Sequence, residues 1–372
     1  MTFVFSADGH LVEPKDLYAE NLPPDLAKFT IRSEKEGDYI VTRAGSNVLN
    51  RSRINTQPRL DANGDQFARS NRLGATNVEV RLQELAGQGI DAEIVFPSSA
   101  MMTSLVDNAE AEAATARIYN DWHHQMLGDR THQFVRCGVI PVRNTDFALA
   151  EMERIASLGF TAGMLPSFMP RDLPFYNDAR WDPIFEAAQQ LGIVLVLHTG
   201  SGRNEGDIRE EKGPGGAIVN YTVQMCDAQK AIMYMVAGGI LDRFPGAKIA
   251  AIESGASWLA ALAERMDEVH EAHDMFVQPK LSRRPSEIIR RQVHASFQYD
   301  RACIMSRSVT GHQAIMWGAD YPHHEGTFPR SRDVVAHLFD GIDISEEEKA
   351  DIIGGNAARL FRLNRPEFMA AA

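Results

Sequence analysis

The 372-residue sequence predicts an α/β fold, a (β/α)8 TIM barrel, on three observations. Short apolar runs alternate with amphipathic stretches along nearly the whole chain, eight of each. The runs are continuously apolar, as parallel strands buried on both faces are. No GxGxxG or Walker A sequence follows any of them, which disfavours an open nucleotide-binding sheet.

Strands are predicted at 3–7 (FVFSA), 91–96 (DAEIVF), 134–140 (FVRCGVI), 160–165 (FTAGML), 193–197 (IVLVL), 247–252 (AKIAAI), 291–296 (RQVHAS) and 313–317 (QAIMW). Helical periodicity fills the intervals at 78–88, 108–128, 145–158, 179–191, 222–240, 255–273, 298–308 and 332–340. A plain barrel needs roughly 250 residues, so the excess must lie in insertions. Segment 18–77 is the N-terminal insertion, with a hairpin expected in FTIRSEKEGDYIVTR and a lid in RINTQPRLDANGDQFARSNRLG. A C-terminal helical extension is expected in DISEEEKADIIGGNAARLFRL, where Ser345 and Glu348 form a capping box and Ile352, Leu360 and Phe361 an apolar face. With no repeat, low-complexity tract or linker, residues 1–372 read as one domain.

Composition narrows the function. A formal net charge of −12 argues against nucleic acid and against an anionic membrane surface, both of which rely on basic patches. The most basic stretch, LSRRPSEIIRR, reads as an ordinary surface helix. Cys137, Cys226 and Cys303 are too scattered for a disulfide framework or a CxxC metal clip, and suit reduced thiols in the cytoplasm. The N-terminus lacks the pattern of a signal peptide, and no apolar run approaches the ~20 residues of a spanning helix.

Functional side chains of such a barrel project from the C-terminal ends of its strands. Strand 1 ends in ADGHL, which sets Asp8 and His10 two residues apart on one face. Strand 5 runs into His198, strand 6 into Glu253, and strand 8 into Asp320 with His323 three residues on. Each alone has a structural explanation as a cap or a bonded loop residue. Together they supply the mixed nitrogen and oxygen donors that suit Zn2+, Mn2+ or Fe2+. The remaining histidines rank lower, His294 first among them because it sits near the predicted end of strand 7.

Asp8-Gly9-His10, His198, Glu253, Asp320, the GADYPH motif and the late GGNAARL resemble the amidohydrolase superfamily, and within it the second family, which includes aminocarboxymuconate-semialdehyde and hydroxybenzoate decarboxylases. The resemblance spans residues 7 to about 362. It implies that Asp8, His10 and His198 bind metal, and that Asp320 binds metal and handles the proton of an attacking water. Two positions depart from the family's decarboxylases, which usually place histidines where this chain has Asp8 and Glu253. Crowded carboxylates repel unless cations offset them. Two divalent ions per chain are therefore expected, with Glu253 as a bridging or second-metal ligand and His323 completing the set, similar to the site of a di-iron thioesterase of the superfamily.

The function expected on that basis is hydrolysis of a hydrophobic or aromatic carbonyl derivative, an acyl-CoA thioester, ester, lactone or amide, by metal-activated hydroxide. Asp320 and His323 would be its catalytic residues. Met101, Met102, Phe168, Trp258, Trp317 and Phe328 would line an apolar pocket. The alternative is non-oxidative decarboxylation of an aromatic or muconate-type acid. The expected partners are a small-molecule substrate and a second copy of the chain in a homodimer.

Overall fold

The computed structural model describes residues 2–54, 59–60, 66–67 and 72–369. Eight parallel strands form the barrel in sequential order. They are β1 (Phe5–Ser6), β2 (Ala92–Val95), β3 (Phe134–Val139), β4 (Ala162–Pro166), β5 (Val194–His198), β6 (Ile249–Ile252), β7 (Val293–Phe297) and β8 (Ile315–Trp317). All eight predicted strands are present. The barrel closes between β8 and β1, where the Ala7 amide donates to the Trp317 carbonyl at 2.9 Å and the His10 amide to the Tyr321 carbonyl at 2.7 Å.

Alternation along each strand separates two apolar layers. Val194 and Val196 join Phe5, Ile94, Met164, Ala250 and Met316 inside the barrel. Leu195 and Leu197 join Ile249, Ile315 and Trp317 against the surrounding helices. With a period of two, His198 continues the inward series of Val194 and Val196. The strand's own register thus aims this imidazole at the barrel axis.

The helices follow local signals. Val78–Gln88 matches its predicted span, starting where the Asn77 side chain accepts from the Glu79 and Val80 amides and stopping at Gly89 with φ of 75°. The basic stretch supplies all but the last residue of the helix Pro285–Gln292. At the C-terminus, Ser345 and Glu348 form the expected reciprocal cap, and the Glu346–Ala350 helix passes through a wide turn at Asp351–Gly355 into Asn356–Leu360. A Cβ on Gly354 would lie 2.7 Å from the Phe3 carbonyl oxygen, so glycine lets this helix press on the β1 backbone. Asn356 then donates to the carbonyls of His312 and Ile315 at 2.7 and 3.0 Å, fastening the start of β8.

The insertion contributes a three-stranded antiparallel sheet of Ile31–Glu36, Tyr39–Ala44 and Asn47–Arg53. The expected hairpin is its first pair. Most of the stretch expected to form a lid lies outside the described residues. Among the described residues no helix is long and apolar enough to cross a membrane.

Candidate metal centre

The six nominated side chains converge at the C-terminal rim of the barrel. The His10 Nε2 lies 3.4 Å from the Asp8 Oδ1 and 3.6 Å from the Asp320 Oδ1. His198 reaches the same Asp8 Oδ1 through its Nε2 at 3.4 Å, and its Nδ1 is 3.7 Å from the Glu253 Oε2. The His323 Nδ1 is 2.8 Å from the Asp320 Oδ1. Possible ligand atoms fall into three overlapping groups within 4.8 Å: Asp8 with His10 and His198; His10 with Asp320 and His323; and Glu253 with Asp320, His323 and Glu325.

Burial grades across the cluster. Asp8, His10, His198 and Asp320 are buried, whereas the Glu253 and His323 side chains retain 15% and 21% exposure. The cluster thus has a closed side and a side open to the cavity above it.

Each ligand candidate is held by its own backbone setting. The Arg81 Nη1 donates to the His10 carbonyl at 2.7 Å, while the same guanidinium is paired with buried Glu93. Ser167 and Ser201 both donate to the His198 carbonyl, at 2.8 and 2.7 Å. Ser6 ties the barrel seam: its hydroxyl donates to the Asp8 carbonyl at 2.6 Å and accepts from the Ala319 amide at 2.8 Å. Glu253 and Asp320 take left-handed backbone conformations that non-glycine residues seldom adopt outside functional sites.

The donor chemistry fits a divalent cation. His10 presents its Nδ1 to the Pro97 carbonyl at 2.8 Å, which places the ring proton there and leaves the Nε2 lone pair exposed to the cluster. That Nε2 is buried with no hydrogen-bond partner. Burial, followed by the His323 charge, lowers the His10 pKa to about 3, so the ring is neutral. Asp8 stays ionised: burial raises its pKa, but the adjoining His10 and His198 rings, the latter hydrogen-bonded to it at 3.4 Å, outweigh that and pull it below the usual range. A neutral imidazole lone pair facing an ionised carboxylate at 3.4 Å requires positive charge between them. On the open side, burial and then the Asp320 charge push the Glu253 carboxyl well above its usual range. A cation there would reverse that shift.

Above the open side lies a cavity of about 1180 Å3. Met101 and Met102 line it as expected, together with Thr42, Leu49 and Asn50 of the insertion. Four nominated aromatics are elsewhere. Trp317 is enclosed between barrel and helices, Trp258 donates to the Gly255 carbonyl, Phe168 packs under Arg203, and Phe328 packs against Tyr321. His294 stands at the start of β7, bonded to the Gln313 carbonyl, and so lies at the opposite end of the barrel. Two residues escaped the sequence reading. Gln298, just past β7, donates to the Asp8 Oδ2 at 3.5 Å, and Glu325 joins the third ligand group. Glu325 was legible as a further carboxylate in the loop that supplies His323; Gln298 carried no charge to mark it.

A parallel barrel with imidazoles and carboxylates gathered at its C-terminal rim defines a divalent-metal barrel enzyme. The amidohydrolase family model matches residues 72–363, and the chain belongs to that family. It is 24% identical over 300 residues to 2-amino-3-carboxymuconate-6-semialdehyde decarboxylase of Dictyostelium discoideum, covering 78% of each chain. Among solved structures, 5-carboxyvanillate decarboxylase of Sphingomonas paucimobilis matches with a TM-score of 0.71 at 23% identity, over 98% of this chain and all of the other. A dihydroxybenzoic acid decarboxylase of Polaromonas sp. JS666, with bound manganese and 2-nitroresorcinol, matches with a TM-score of 0.65 at 18% identity, over 99% of both chains.

These likenesses correct the expectation of hydrolysis. The relatives named here are decarboxylases, and neither a thioesterase nor an iron site is among them. The physical reason is that a rim of imidazoles and carboxylates specifies a Lewis-acid site and leaves the bond to be broken unspecified.

Proposed function

We propose that this protein is a divalent-metal-dependent decarboxylase that removes CO2, without oxidation, from an aromatic or muconate-type acid. The observation that carries this reading is the cavity's charge. Its described lining includes Glu253, Asp300 and Glu325 but neither lysine nor arginine, so an ion on the cluster is the counter-charge available to an acid substrate.

Asp8, His10, His198 and Asp320 would hold the first ion, and Glu253 with His323 a second, Asp320 lying between them. Mn2+, Zn2+ and Fe2+ all suit this donor set. A bound divalent ion supplies Lewis-acid charge opposite the substrate carboxylate and a neighbouring oxygen.

The chain's own residues account for the rest. Met101 and Met102 give the cavity an apolar wall, which favours loss of the charged carboxylate as neutral CO2. The carbon–carbon bond breaks, its electron pair stays on the substrate carbon, and that carbon takes a proton. The 2.8 Å Asp320–His323 contact forms a proton path from the partly exposed His323 ring to the buried Asp320 Oδ1.

The test is turnover in 18O-water of 5-carboxyvanillate, 2,6-dihydroxybenzoate and 2-amino-3-carboxymuconate 6-semialdehyde, the acids named for the relatives. Release of CO2 with no 18O in the organic product is expected. Labelled acid formed without CO2 from the corresponding esters would return the site to hydrolysis.

A further inference from the structure

A second compartment of about 350 Å3 lies between the insertion sheet and the barrel rim. Thr42, Ser98 and Ser99 line both this compartment and the large cavity, so the two share one wall. Buried Glu13, which also lines the compartment, orders that wall by accepting from the amides of Ser98, Ser99 and Ala100 at 2.9–3.1 Å. The compartment has the lower end of the volume of known small-molecule sites, about 300–1,000 Å3.

Its lining differs in kind from that of the large cavity. Val12, Ile31 and Ile40 give it apolar surface; Lys15 and Arg32, the latter also paired with Glu34 at 2.8 Å, give it the cationic side chains that the large cavity lacks among its described residues, while the Glu13 carboxylate is taken up by backbone amides. Tyr18 is also on its wall, 2% exposed, and its hydroxyl lies near Ser99 without a hydrogen bond of normal geometry. A buried hydroxyl in that state costs free energy that a ligand acceptor would recover.

We propose that this compartment is a second binding subsite, taking the far end of an elongated aromatic acid that bears a second anionic group. It rests on the decarboxylase reading for the placement of the first carboxylate at the cluster. Tyr18 donates to the distal end, Lys15 and Arg32 meet its charge, and Thr42 brings the insertion into substrate selection.

The test uses the Mn2+-loaded enzyme and calorimetric titration with biphenyl-4,4′-dicarboxylate, biphenyl-4-carboxylate and benzoate. The dicarboxylate should bind roughly tenfold more tightly than the monocarboxylate. In Lys15→Ala and in Tyr18→Phe alike that ratio should fall towards one. Lys15 is exposed and the Tyr18 hydroxyl lacks a normal hydrogen bond, so neither change threatens folding. Equal binding of the two biphenyls by the wild type, or a preference that survives both substitutions, overturns the subsite. The same binding pattern in an enzyme that releases no CO2 from any acid supports the subsite and overturns the decarboxylase reading alone.

Discussion

Glu253 and Asp320, at the ends of β6 and β8, share one unusual backbone state, with φ of 56° and 53°. Both carboxylates are aimed into the same ligand group by a conformation that costs an L-residue free energy. Asparagine tolerates this region well, so Asp320→Asn should keep the fold while removing the carboxylate. Turnover should drop roughly a hundredfold to ten-thousandfold with little change in the Tm of the metal-free protein. Activity close to wild type would remove Asp320 from the proton path.

Metal content reports the two proposed sites separately. Protein purified without chelators should carry two divalent ions per chain by elemental mass spectrometry. Glu253→Gln should carry one, and His10→Ala should lose the ion on the closed side. Chelation should lower Tm, because ligands that bind only the folded chain stabilise it. One ion in wild type and Glu253→Gln alike would eliminate the second site.

The Arg81–Glu93 pair is buried beneath β1, where a Cβ on Gly9 would lie 2.5 Å from the Glu93 Oε2. Arg81→Met should destabilise the protein by about 3–5 kcal/mol, since it leaves the Glu93 charge buried and unpaired. Adding Glu93→Leu should restore most of that loss, yet metal affinity should stay reduced because the bond to the His10 carbonyl is gone. Denaturant unfolding and metal titration of both variants check this. Full recovery of metal affinity in the double variant would confine Arg81 to a stability role.

Glu112 accepts from the Val142 and Arg143 amides, yet burial pushes its pKa from 4.5 up to about 7. Between those values the folded protein binds more protons than the unfolded chain, so this contribution is full below pH 4.5 and is lost as pH rises through 7. The loss amounts to about 3 kcal/mol at most. The stability of wild type relative to Glu112→Gln should therefore fall across that window, a difference in which metal effects cancel. A difference independent of pH would contradict the shift.

The candidate cluster was legible because each of its strands ends an apolar run on a polar residue, a signal that survives without knowledge of contacts. The failures have local causes. The Pro285–Gln292 helix extends into the run expected to open β7, so the strand starts two residues late; His294 therefore lies at its base and Gln298 at its rim. Trp317 follows the outward phase of Ile315, which hydrophobicity alone does not distinguish from the inward one. Chemistry was misjudged for a different reason: carboxylates at Asp8 and Glu253 signal extra negative charge, and charge alone does not identify the leaving group.

The seam between β1 and β8 sets the order of events during synthesis. Asp8 and His10 leave the ribosome about 310 residues ahead of Asp320, whose amide bonds to the Asp8 carbonyl at 3.0 Å. Chains grow at roughly 5–20 residues per second, so the early residues wait for tens of seconds before the last strand exists. The centre is thus assembled by the final strand, and a ribosome-bound or truncated chain lacks the pocket that would hold an ion tightly. Loading of the proposed centre would then be timed by barrel closure.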